Sequence, residues 1–141
     1  MKIIAHRGNV NGPNKQLENH PDYIKHAIDK GFDVEIDVWL KDKKLYLGHD
    51  KPQYDIPQSW LKTYKNLLWI HLKNIDAFEV FKNSTYNYFW HENDKFTLTS
   101  KKIPWCYPGV YLQQGISVHL SKEPVPSSVL GICTDYAEHF V

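Results

Sequence analysis

The sequence predicts a single α/β domain whose helices are confined to its first half. Three observations predict it. Strand and helix patterns alternate up to about Asn83, one strand carries acids at every second position, and beyond Asn83 strand patterns continue while helical ones cease. With 141 residues, the chain is long enough to bury a core without disulfides or a structural zinc.

Lys2 to Ala5 reads as a short buried strand running into the polar His6, Arg7 and Gly8, with an Asn- and Gly-containing loop from Asn9 to Gln16. A helix is expected from about Pro21 to Lys30: proline suits a first turn, Ile24, Ala27 and Ile28 recur at helical spacing, and Gly31 follows as a stop. Val34, Ile36 and Val38 alternate with Glu35, Asp37 and Trp39, the period of a strand. The polar tip Lys41 to Lys44 then leads into Leu45 to Asp50, and a hairpin centred on Asp42 would set His49 opposite Glu35.

Pro57 to Tyr64 is expected to form a second helix and Leu67 to Leu72 a strand ending near Lys73. Asn74 should cap a third helix carrying Ile75, Phe78 and Phe81. Beyond it, strands are expected at Tyr88 to Trp90, Phe96 to Thr99, Ile103 to Tyr107, Ile116 to Leu120 and Val129 to Cys133. Only Ser100 to Lys102 separate two of these, too few for a parallel crossover, so part of this half must run antiparallel or cross as extended chain.

Composition excludes several function classes. Aromatic residues make up 14%, and 17 Lys plus Arg stand against 16 Asp plus Glu, with no basic run longer than two residues. A packed interior is expected, and neither nucleic acid nor an anionic membrane has an electrostatic footprint to bind. The first ten residues lack a signal-type apolar stretch, so a cytoplasmic location and no membrane span are expected. Cys106 and Cys133 are read as buried or free thiols.

Glu35 and Asp37, two apart on a strand, project from one face of the sheet, as two ligands of one hard cation must. Solvated acids on a half-exposed strand would look the same. What favours a site is His49 across the hairpin, together with His71 and Lys73, again two apart, inside the apolar run Trp69, Ile70 and Leu72, where polar groups need partners. His6 and Arg7 at a strand end suit a barrel mouth, where a guanidinium can hold phosphate, although the tripeptide alone reads more readily as a satisfied loop histidine beside a surface arginine. His91 to Asp94 could line the mouth but is read as a polar turn, Trp90, Trp105 and Tyr107 as core or rim packing rather than a substrate platform, and His20, His26 and His139 as surface.

In order, the chain presents His6-Arg7-Gly8, Glu18-Asn19 before a helix, Glu35-x-Asp37, Gly48-His49-Asp50 and then a strand ending in Lys73. This series resembles the glycerophosphodiester phosphodiesterase family of the phospholipase C-like phosphodiesterase superfamily. The resemblance implies a reduced, distorted TIM-type β/α barrel with helices largely missing from its C-terminal half. It also implies metal ligands at Glu35 and Asp37, an acid-base pair at His6 and His49, and substrate contacts from Arg7, Lys73 and Glu18. Cys133-Thr134-Asp135 resembles the family's last barrel strand, which suggests a complete chain. Where the family usually has a third acidic ligand two residues before the lysine, this sequence has His71, expected as the third metal contact, the alternative being a hydrogen bond to a metal-bound water or the phosphate.

The function so implied is hydrolysis of a small-molecule glycerophosphodiester to an alcohol and glycerol phosphate, with one divalent metal ion, Mg²⁺, Ca²⁺ or Mn²⁺. His6 is expected as base and His49 as acid. The alternatives are a lyase-like relative that gives a cyclic phosphate, or a degenerate barrel that only binds metal and phosphate.

Overall fold

The computed structural model describes residues 1–141. Ten strands and three α-helices follow in the order β1 (Lys2–His6), α1 (Pro21–Asp29), β2 (Asp33–Lys41), β3 (Lys44–Leu47), β4 (Tyr54–Ile56), α2 (Gln58–Tyr64), β5 (Leu68–Leu72), α3 (Ile75–Phe81), β6 (Tyr88–Phe89), β7 (Phe96–Leu98), β8 (Pro104–Cys106), β9 (Ile116–Val118) and β10 (Gly131–Thr134). After β6 the only helical turn is a 3₁₀ segment, Ala137–Phe140, in line with the loss of helical patterns beyond Asn83. No helix is long and apolar enough to cross a membrane.

Seven strands run parallel in the spatial order β8-β9-β10-β1-β2-β5-β6. The sheet curls into a half-barrel. No backbone ladder joins β6 to β8, and between them the rings of Phe89 and Trp105 stack at 4.4 Å. Antiparallel strands complete the mixed sheet: β3 and β4 extend from the far half of β2, and β7 pairs with β8 through the short Thr99 to Ile103 connection. That antiparallel return is the solution expected where too few residues were available for a crossover.

Period two explains how the curled sheet is filled. The outward-facing Ala5, Val34, Ile36, Val38, Leu68, Ile70 and Leu72 pack with Ile24, Ala27, Leu61, Ala77 and Phe81 of the helices in one core. Each fully buried Val, Leu, Ile or Phe side chain among them contributes about 1.5–3 kcal/mol. Inside the curl, Ile4, Trp69, Phe89, Trp105, Ile116 and Cys133 form a smaller apolar layer. His6, Glu35 and His71 lie two residues further along β1, β2 and β5 than Ile4, Asp33 and Trp69, so they stand one layer higher, toward the strands' C-terminal ends.

Caps define the helix starts. Asn74 accepts a hydrogen bond from the Ala77 amide at 3.1 Å, and His20, expected as a plain surface residue, accepts from the Asp22 amide at 3.1 Å. In α3 the burial differs from the expected face. Ala77 and Phe81 are buried, whereas Ile75 and Phe78 are exposed, because this helix touches the sheet only along its Ala77–Phe81 edge.

The β2–β3 hairpin corrects the expected register. Its turn is the two-residue pair Asp42-Lys43, both with left-handed φ (51° and 64°), so Lys41 pairs with Lys44 and Val38 with Leu47. Such a turn matches the strand twist better than one centred on a single residue. The ladder stops at Val38, and Glu35 instead pairs with His6 on one side and Trp69 on the other. His49 is therefore not a cross-strand neighbour of Glu35. It lies in the turn after β3, where Gly48 donates to the Asp37 carbonyl at 3.1 Å.

Candidate metal and acid-base site

Glu35 and Asp37 enter the curl from β2, and His71 joins them from β5, where it pairs in register with Asp37. Both carboxylates are essentially inaccessible to solvent, at 2% and 0%. His71 Nδ1 lies 3.2 Å from Asp37 Oδ1 and 3.8 Å from Glu35 Oε1. One donor atom from each of the three residues can be chosen so that all lie within 4.8 Å of one another. Ligands about 2.0–2.5 Å from a common cation are separated by no more than about twice that distance, so the spacing fits one ion.

Protonation sharpens the point. His71 Nε2 is 2.9 Å from the His91 carbonyl oxygen, which can only accept, so Nε2 carries a hydrogen. In the neutral ring, Nδ1 then turns a bare lone pair toward two carboxylates. Glu35 Oε2 and Asp37 Oδ1 are buried without a hydrogen-bond partner. Buried acceptors facing another acceptor need a proton or a cation between them, and a backbone carbonyl holding the far nitrogen is a common support for a metal-ligating histidine. The residues present fit a divalent ion.

Neighbours split the two acids. Burial and the Asp37 charge raise the Glu35 pKa, and these outweigh the opposing effects of His6, Arg7 and His71. Burial also disfavours charged Asp37, but a protonated His71 ring, donating and positively charged, together with Arg7 and Asn19 more than offsets it and holds that carboxyl well below the usual range. Asn19 is buried at left-handed φ 65°, a region asparagine tolerates better than most residues. It clamps Asp37 twice: its amide donates to Oδ2 at 2.9 Å, and its carbonyl accepts from the Asp37 backbone amide at 3.0 Å.

His6 is held from behind. Its Nδ1 donates to Asp135 Oδ1 at 2.8 Å, leaving Nε2 facing Glu35 Oε2 at 3.9 Å. Asn9 donates to Asp135 at 2.9 Å and to Glu18 at 3.0 Å. Burial lowers the His6 pKa, yet the Asp135 hydrogen bond and the Glu35 charge prevail and leave it raised. His49 goes the other way: burial and the Arg7 charge lower its pKa despite the 2.7 Å contact of its Nδ1 with Asp50.

Arg7 has left-handed φ (55°) and places its Nε 3.5 Å from Asp37 Oδ2 and its Nη1 3.3 Å from Glu18 Oε2. Its Nε is buried without a hydrogen-bond partner. Glu18, expected at the substrate, thus serves first to steady Arg7 and Asn9 and stands outside the three-residue cluster. Lys73 forms no side-chain hydrogen bond or ion pair, although it is close enough to contribute to the lowered His49 pKa.

His6, Arg7, Glu35, His49 and His71 line one open cavity of about 300 Å³, with Asp37 just beneath. Asn9 was not singled out from sequence, and Asn19 and Asp135 entered only within the Glu18-Asn19 and Cys133-Thr134-Asp135 patterns, without a role of their own. His119 is buried and engaged by the Tyr111 hydroxyl and the Glu123 carbonyl, a packed histidine outside the site. No protein-family model, no curated protein and no solved structure matches the chain.

Proposed function

We propose that the chain is a metal-dependent phosphodiesterase of the glycerophosphodiester phosphodiesterase type, built on a reduced and distorted β/α barrel. The observation that carries this reading is the His71 ring, anchored through Nε2 and directing Nδ1 at the unpartnered Asp37 Oδ1, 3.2 Å away, with Glu35 Oε1 at 3.8 Å. Glu35, Asp37 and His71 would hold the ion. When bound, a divalent cation supplies charge neutralisation at the non-bridging phosphate oxygens.

The chain's own groups supply the rest. Arg7, preset by Glu18, offers its guanidinium to the phosphate from the cavity wall. The opposed pKa shifts favour a division of labour reversed from the sequence expectation. His49, lowered and with Nε2 free, accepts the proton of the attacking hydroxyl or water. His6, raised and with Nδ1 fixed on Asp135, donates from Nε2 to the departing alkoxide.

The test is a panel of glycerophosphocholine, glycerophosphoethanolamine and bis(p-nitrophenyl) phosphate assayed with Mg²⁺, Ca²⁺, Mn²⁺ and Co²⁺, with product analysis to separate glycerol phosphate from a cyclic phosphate. Turnover that needs metal and disappears in Asp37→Asn is expected. Absence of turnover on every ester with every metal would sink the proposal.

A further inference from the structure

The cavity that holds the charged groups has a second wall of different chemistry. Besides His6 and Glu35 it is lined by Trp105 from β8, Tyr107 and Pro108 just after it, Val118 from β9 and Leu120 just beyond. Trp105 is buried, but Tyr107 and Leu120 are each 43% exposed, which leaves apolar surface open at the mouth. The remaining lining residues are His91 and Glu92. The His91 ring is already engaged by the Asp94 carbonyl at 2.6 Å.

The two walls rest on one buried support. The His71 ring stacks on Phe89 at 5.0 Å, and the buried Phe89 stacks on Trp105 at 4.4 Å, which ties a candidate metal ligand to the apolar lining. A group attached to a phosphate held by the charged wall would emerge along hydrocarbon. A small polar alcohol would leave that hydrocarbon in contact with water, whereas an alkyl chain would cover it.

We infer that this wall is a subsite for the alkyl chain of the substrate's alcohol, making the preferred substrate a phosphodiester of a chain-bearing, lipid-type alcohol. The inference rests on the phosphodiesterase reading of the charged wall and adds the identity of the leaving group. Full burial of a methylene changes affinity about fourfold, and an open wall that covers one side of the chain should retain about twofold for each. Methyl to octyl adds seven methylenes, so a gain of roughly a hundredfold is expected.

The test separates binding from turnover. Methyl, butyl and octyl phosphate, below micellar concentration, are titrated into the Mn²⁺-supplemented protein by calorimetry, alongside Leu120→Asn and Tyr107→Ser. Both positions are half-exposed, and folding is checked by circular dichroism. Octyl phosphate should bind roughly a hundredfold more tightly than methyl phosphate, and each variant should cut that ratio at least tenfold. Equal affinity at all chain lengths, no binding of any alkyl phosphate, or an unchanged ratio in both folded variants would overturn the subsite. Chain-length-dependent binding without hydrolysis of glycerophosphooctanol would uphold the subsite and remove the phosphodiesterase reading. Hydrolysis of glycerophosphoethanolamine with flat chain-length binding would do the reverse.

Discussion

His71 Nδ1 sits 3.2 Å from Asp37 Oδ1 while its other nitrogen is held by the His91 carbonyl at 2.9 Å. The pair joins two adjacent parallel strands at the same register position, Asp37 of β2 and His71 of β5, and presents a nitrogen where a third carboxylate oxygen would make the ligand set wholly anionic. The expected metal preference follows from that substitution of nitrogen for oxygen.

Calorimetric titration should show tighter binding of Mn²⁺ or Co²⁺ than of Ca²⁺, because imidazole suits the transition ions and Ca²⁺ binds through oxygen. His71→Glu should shift the preference toward Ca²⁺ and Mg²⁺. Unchanged affinity for every metal in that variant would remove His71 from the ligand set.

His6→Ala and His49→Ala should each reduce phosphodiester turnover at least about a hundredfold, the usual contribution of one positioned acid or base. Circular dichroism should show both folded, since His6 lies at a strand end and His49 in a turn. Near wild-type turnover in either variant would strip that histidine of its role.

Asp135→Asn should lower the His6 pKa, read by NMR titration of the ring, because the hydrogen-bonded carboxylate is the main influence raising it. The pair also links stability to pH. The raised His6 pKa gives stability that is complete below its ordinary 6.5 and lost as pH rises through the folded value. The lowered Asp135 pKa gives stability that is complete above its ordinary 3.8 and lost as pH falls through its folded value. The penalty of the substitution should therefore be greatest between those two pH values. A penalty independent of pH would contradict the coupling.

Asn19→Ala should cost about 1–3 kcal/mol in urea denaturation, since it strips a buried carboxylate of one donor and a buried amide of its acceptor. Metal affinity should fall as well, because Asp37 loses its clamp. Wild-type stability together with wild-type metal affinity would show that the clamp is dispensable.

Cys106 and Cys133 should resist alkylation in the folded protein and react on unfolding. Both are buried free thiols, and burial raises the pKa of each, that of Cys133 well above its ordinary value. Rapid labelling of either thiol under native conditions, followed by mass spectrometry, would show that the curled sheet opens readily.

What the sequence determined by itself was local. The alternation of Val34, Ile36 and Val38 with Glu35 and Asp37 is enough to put both acids on one face, and Trp69 to Lys73 does the same for His71, because side-chain direction in a strand depends only on position parity. The Asn74 cap, the helix spans and the loss of helices after Asn83 are equally short-range. The curl of the sheet, and what it brings together, were decided by tertiary structure. Asn19 reaches Asp37 across 18 residues and Asp135 reaches His6 across 129, and no periodicity connects positions so far apart. His49 was misplaced because a two-residue turn at Asp42-Lys43, without the usual glycine, shifts the ladder by one residue and ends it before Glu35. The apolar wall at Tyr107 and Leu120 was equally hidden, since both follow three-residue strands whose directions are set by parallel pairing with distant neighbours.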